Sequence, residues 1–201
     1  VIETERIIVR RFVADDWTDL HAYLSLAATY RFEPGGPVGV DEAKSLAVRR
    51  ASADDFFAVC LKAAGGSVVG HVFLGRAEPG EFMTWELGYI FNPRYHNQGL
   101  CSEASRLVVA HAFERLHAHR VVAYCDPLNI ASWRVLEKVG LRREGYFRKN
   151  AFFRRDQDGN PLWHDSLCYA ILAEEFGRPV PSPCQQSEAA GALPMHRERR
   201  P

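Results

Sequence analysis

The sequence predicts a mixed α/β fold with a twisted, mostly antiparallel sheet. Three observations predict it. Runs rich in Val, Ile and Phe alternate with runs whose apolar residues recur at helical spacing. A glycine-bearing turn, AGG, separates two β-rich runs as in a hairpin. Two longer β-rich runs flank DQDGNP and read as a closing antiparallel pair.

The elements follow in order. Residues 6–13 (RIIVRRFV) read as a strand with Ile7 and Val9 on one face. ADDWTDLHAYLSLA places Trp17, Leu20 and Leu24 at helical spacing behind Asp15 and Asp16, acids that suit a helix start. PGGPVG is a loop, and Asp41 opens a second helix that runs to about Ala53. An insertion of this kind ahead of the main sheet commonly shapes one wall of a pocket. Residues 56–62 and 68–75 form the first hairpin, and AEPGE leads into a strand over 82–91. After a polar loop comes a helix with Ala104, Leu107, Val108, Ala112 and Leu116 in period. A short buried strand, residues 120–125, ends at Asp126-Pro127. In NIASWRVLEKVGL, Ser132, Val135, Leu136 and Val139 share a helix face, and Gly140 stands where a C-terminal glycine belongs. Residues 141–155 and 161–172 are the closing strands.

Composition excludes several function classes. The chain has 201 residues, 47% hydrophobic, enough for one domain with a sizeable core. Lys+Arg and Asp+Glu both number 25, which argues against a nucleic-acid footprint or a membrane-surface patch. No apolar run approaches the ~18 residues of a membrane span, and VIETERIIVRRF does not read as a signal peptide. Cys60, Cys101, Cys125, Cys168 and Cys184 are scattered without a CxxC, which fits a reduced, cytoplasmic setting. His117 and His119 read as cations at a helix C-terminus, with no third ligand in reach by sequence, so no metal is expected. From Arg178 the chain turns rich in Pro, Ser, Gln and charge. A domain over residues 1–178 and a flexible tail over 179–201 are therefore expected.

The stretch YIFNPRYHNQGLCSEASRLVVAHAFERL carries the chemistry. A strand, a glycine-bearing loop and a helix in succession can hold an anion, because the first helical turn offers unpaired N–H groups and the positive end of the macrodipole. Gly99 permits close backbone approach. Ser102 is the expected N-cap. A Walker-type phosphate site would need a lysine after the glycine, and Leu100 and Cys101 stand there instead.

The segment PRYHNQGLCSEA, followed by NIASWRVLEKVGL, resembles the GNAT superfamily of acyl-CoA-dependent N-acetyltransferases. Within it, TERIIVRRF, ELGYIFNP and WHDSLCYAILAEEF are most similar to the branch containing the ribosomal-protein N-terminal (alanine/serine) acetyltransferases. The resemblance runs over about residues 4–178. It implies a sheet splayed between its fourth and fifth strands, helices on both faces, and acetyl-CoA as co-substrate. The phosphate-loop pattern falls on His96, Asn97, Gln98, Gly99, Leu100 and Cys101, with His96 and Cys101 departing from it. Ser102 follows in the first turn of the helix. The backbone of Tyr89, Ile90 and Phe91 would pair with the pantetheine arm, and Asn129 matches an asparagine that contacts the same arm.

Amine acetylation has three further needs: a base, an oxyanion donor and a proton for the departing thiolate. A backbone N–H near Ile90 would hold the oxyanion. The family's tyrosine, seven residues after the asparagine, is replaced by Leu136, and the nearest branch implies Ser132 as donor instead. Glu86 is the candidate base, on a strand face with Thr84 and Gly88 and opposite Trp85, Leu87 and Tyr89. A lysine-type amine of pKa ~10.4 costs about 4–5 kcal/mol to deprotonate at pH 7, whereas an α-amine near ~7.8 costs about 1 kcal/mol and a water relay would do. The expected function is acetyl transfer from acetyl-CoA to a primary amine, with a second copy of the chain left open as a partner. The alternative is a catalytically silent acyl-CoA-binding module.

Overall fold

The computed structural model describes residues 1–177; the predicted tail and Cys184 lie outside the described residues. Eight strands form one sheet: β1 (Ile2–Glu3), β2 (Ile7–Arg11), β3 (Phe56–Leu61), β4 (Ser67–Arg76), β5 (Thr84–Phe91), β6 (Arg120–Cys125), β7 (Arg142–Arg155) and β8 (Pro161–Leu172). Their spatial order is β1-β2-β3-β4-β5-β6-β8-β7. Every neighbouring pair is antiparallel except β5 and β6. That parallel pair needs a crossover, supplied by α3 (Leu100–Arg115). The other long helices are α1 (Trp17–Leu24), α2 (Val40–Ser52) and α4 (Ile130–Val139).

Strand alternation divides the core into two. Ile7, Val9, Phe57, Val59, Leu87 and Phe91 pack with α3 and α4, whereas Ala58, Cys60 and Val68 pack with Leu20, Tyr23, Ala43 and Ala47 of α1 and α2. Helices therefore cover both faces. On the second face a buried polar cluster ties α1 and α2 to the sheet. His71 is 3% exposed and lies 2.8 Å from the Tyr23 hydroxyl and 3.2 Å from Arg50 Nη1. Burial, with the Arg50 charge, holds His71 well below its usual pKa, so a neutral ring nitrogen accepts from both donors.

Differences from the sequence reading are local. β1, two residues long, was too short to show a period, and it shifts the count so that the splayed pair is β5 and β6. The first predicted strand is trimmed to β2, because Ala14–Asp16 turns as a 3₁₀ segment where Asp16 accepts from the Val13 N–H at 2.9 Å. Ser102 is not the N-cap of α3. Gly99 takes that place at φ 78°, which puts Ser102 inside the first turn. Gly140 ends α4 at φ 109°, as the glycine position required. Among the described residues, no helix is long and apolar enough to cross a membrane.

Candidate active site

The site begins where β5 and β6 part. Their register runs Thr84↔Arg120, Trp85↔Val121, Glu86↔Val122 and then stops. β5 continues to Phe91 against β4, while β6 continues to Cys125 against β8. Each strand follows its outer partner, so a gap opens between them. Backbone hydrogen bonds fix which peptide groups face it. Thr84 O accepts from Ala77 N at 2.9 Å and Asn92 N donates to Val69 O at 2.9 Å, so that parity looks toward β4. Met83 O accepts from His119 N at 2.9 Å on the β6 side. By alternation the peptide groups of Leu87, Tyr89 and Phe91 face the gap, and those of Ile90 turn to β4. The expectation of an amide near Ile90 therefore moves to its two neighbours. Buried backbone groups need partners, and these lack a strand on one side.

At the end of β5 the loop turns into α3. His96 Nε2 donates to the Phe91 carbonyl at 3.0 Å, Asn97 sits at φ 59°, and Gly99 leads into the helix. The first intrahelical bond runs from Glu103 N to Gly99 O at 3.0 Å, which leaves the amides of Leu100, Cys101 and Ser102 ahead of it. The Leu100 side chain is 2% exposed and belongs to the core, so only its backbone is offered. Arg6, one residue ahead of β2, braces the loop, donating to Gln98 O at 3.1 Å and to Glu103 Oε2 at 2.9 Å. Nothing in the spacing of Arg6 and Gln98 revealed that brace, which links residues 92 apart.

Across the gap α4 supplies Asn129 and Ser132. Asn129 caps the helix, its Oδ1 accepting from Ser132 N at 3.2 Å. Ser132 is thus not the cap, and its Oγ is free to lie 3.0 Å from the Tyr89 hydroxyl, which also donates to the Ser132 carbonyl at 2.9 Å. Burial holds Tyr89 well above its usual pKa, with smaller pushes from Cys101, Cys125 and Glu33, so the phenol keeps its proton. Sequence reading placed only the backbone of Tyr89 here; its hydroxyl is an addition made by folding. Leu136, 1% exposed, points into the core.

Burial disfavours the thiolate form of the cysteines beside the gap. Burial pushes Cys125 up to about 11, and it drives the enclosed Cys101 sulfur higher still, so both stay protonated near neutrality. The four described cysteines are free. Among the described residues, no three His, Cys, Asp or Glu side chains gather as a metal site would need.

Glu86 is exposed at the apex of the gap, on the face opposite the buried Leu87, as alternation required. It lines a shallow cavity of about 230 Å³ with Thr84, Arg120, Tyr124 and Cys168. A second cleft, about 110 Å³, lies between the α1–α2 loop and the closing hairpin. Its walls include Tyr30, Glu33, Phe153, Arg154 and His164. The insertion before the main sheet does form a pocket wall. Glu33 itself had no signal in the sequence, since a lone Glu before Pro34 reads as loop.

This geometry matches known proteins. The model of a family described as acetyltransferase (GNAT) domain matches residues 6–142. An uncharacterized N-acetyltransferase of Bacillus subtilis (strain 168), YnaD, is 36% identical over 87% of this chain and 98% of its own. The crystal structure of a GNAT-family acetyltransferase from Bacillus anthracis superposes with a TM-score of 0.77 at 35% identity, covering 87% of this chain and 99% of that one. The [Ribosomal protein uS5]-alanine N-acetyltransferase of Escherichia coli (strain K12) is 25% identical over 54% of this chain and 53% of its own. The chain belongs to the GNAT acetyltransferases, enzymes that use acetyl-CoA as co-substrate.

Proposed function

We propose that the protein transfers the acetyl group of acetyl-CoA to a primary amine by direct attack within a ternary complex. One observation carries this reading: β5 and β6 separate beyond Glu86↔Val122, leaving a run of strand backbone without a partner beside the N-terminus of α3. An extended pantetheine arm can add to that strand edge through the Tyr89 peptide groups and the Phe91 N–H, the Phe91 carbonyl being held by His96. The loop from His96 to Cys101, with the Ser102 amide, receives the pyrophosphate at the helix N-terminus. Asn129 keeps its side-chain amide free for the same arm after capping α4. Protonated Cys101 and Cys125 speak against an acetyl-cysteine intermediate, and so for direct attack.

Ser132 and Tyr89 hold two exchangeable protons 3.0 Å apart, a supply for the departing thiolate in place of the family's tyrosine. Glu86, the base candidate of the sequence reading, lies open to solvent at the apex. Resemblance to the alanine acetyltransferase suggests an α-amine acceptor, the class with the smaller deprotonation cost. A cytoplasmic setting suits free thiols and this co-substrate.

A silent acyl-CoA-binding module is the second reading, favoured by Leu136 in the tyrosine's place. Incubation with acetyl-CoA and a panel of peptides, polyamines and antibiotic amines, following thiol release, separates the two. Amine-dependent release supports the enzyme; tight coenzyme A binding with no release supports the silent module.

A further inference from the structure

Glu33 lines the cleft between the α1–α2 loop and the closing hairpin, and among the described residues it has neither a hydrogen bond nor an ion pair. The cleft is held in shape around it. Arg154 of β7 donates to the Tyr30 carbonyl, pinning the hairpin to the loop. His164 of β8 places Nδ1 3.2 Å from Asp126 Oδ2, and Phe153 stacks on its ring at 5.6 Å. Asp126 directly follows Cys125, so this wall continues the β6 lip of the gap. On the hairpin side Phe153 and Leu162 are exposed, which leaves the cleft open to an incoming molecule. The Glu33 charge also reaches across the gap: after burial and nearer groups, it adds to the upward push on both Tyr89 and Cys125.

We infer that the Glu33 carboxylate takes the proton from the acceptor amine, which enters through this cleft; the inference rests on the acetyl-transfer reading above. The ammonium gives one proton to Glu33, and the neutral nitrogen attacks the thioester carbon. The N–C bond forms and the C–S bond breaks. The Ser132–Tyr89 pair protonates the thiolate and is restored by the second proton leaving the nitrogen, while Glu33 returns its own to solvent.

Desolvation pushes the Glu33 carboxyl up to about 7. The charged and titratable groups around it are Tyr30 and Arg31 on its own segment, Arg154 and His164 on the hairpin, Asp126 behind His164, and Tyr89 and Cys125 across the gap. A base near 7 accepts from an α-amine of ~7.8 at a disadvantage of less than about tenfold, but from a lysine-type amine of ~10.4 at roughly a thousandfold. This match favours an α-amine acceptor over a lysine-type one, a preference that the amine panel reads directly.

Glu33→Gln should lower kcat/KM for the best α-amine substrate by about 10²-fold or more and erase the acid limb near pH 7. Calorimetric affinity for coenzyme A should stay within twofold. Stability should move the other way. A carboxyl raised from its unfolded value near ~4.3 stabilises at low pH and loses that contribution as pH rises through the folded value, so Glu33→Gln should melt higher at pH 8. Glu86→Gln, made in parallel, should keep the acid limb even where its rate falls. An active parent with Glu33→Gln within threefold of it, or an acid limb that disappears only with Glu86→Gln, overturns the Glu33 role and leaves acetyl transfer standing. A parent that turns over no amine in the panel overturns both.

Discussion

β5 is two strands in one. Its first three residues, Thr84–Glu86, are paired on both sides; its last five, from Leu87 to Phe91, are paired only with β4. Both halves share the alternation that sends Leu87 and Phe91 into the α3–α4 core and Ile90 toward the α1–α2 core. What differs is the neighbour. The first half is scaffold, because its backbone groups are used up in the ladder. The second half keeps its packing but leaves a row of peptide groups for something else to satisfy. An open edge of this kind needs no special side chains, only a neighbour strand that leaves early. β6 leaves because it pairs with β8 along its whole length, from Arg120↔Leu172 to Cys125↔Leu167.

The largest expected effect strikes what bridges the open half. Ser132→Ala removes the hydroxyl paired with Tyr89, and kcat should fall by about 10²-fold or more at saturating acetyl-CoA with coenzyme A affinity little altered. Because Asn129 caps α4, the fold should not lose the ~1 kcal/mol of a missing cap. Turnover within twofold of the parent would show that solvent protonates the thiolate. Leu136→Tyr should not restore the family's tyrosine donor, because this position points into the core. The added volume meets a full core and should cost about 1–3 kcal/mol in denaturant unfolding.

The next test sharpens the contrast between the closed and open edges of that half. On the β4 side there is no room: a Cβ on Gly70 would lie 2.6 Å from the Phe91 ring and 2.8 Å from the Ile90 carbonyl oxygen. Gly70→Ala should cost about 1–3 kcal/mol. Gly88, within the open half, would place its Cβ 3.6 Å from Phe73, an ordinary contact. Gly88→Ala should cost under about 1 kcal/mol, the range of a tolerated surface or strand change. Equal losses in urea melts would contradict the difference in room.

The last effect is on binding alone. Gly99→Val should weaken coenzyme A at least about tenfold, because φ 78° is strained for a β-branched residue and the side chain occupies the approach of a phosphate. The space itself is open, with Arg6 Nη2 3.7 Å from the added Cβ as the nearest neighbour, so a folded variant is expected. Unchanged affinity by calorimetry would remove the loop from the phosphate site.

Periodicity by itself determined most of the architecture. The strand over Arg120–Cys125, the helix ending at Gly140, the first hairpin and the closing strands all stand where the 2-residue and 3.6-residue patterns put them, since burial of one face is a local property of the chain. The glycine that opens α3 was legible for the same reason: a backbone turn is written in adjacent residues. Tertiary structure alone decided the rest. Whether Ser102 or Gly99 caps α3 depends on where the preceding loop enters the helix, which Arg6, just ahead of β2, and His96, bonded to the end of β5, hold in place. That the Tyr89 hydroxyl meets Ser132, 43 residues away, and that Glu33 comes to line a cleft with the closing hairpin are facts of packing between distant segments. No local pattern encodes them, because the free energy that brings such groups together belongs to the core beneath them and not to the residues themselves.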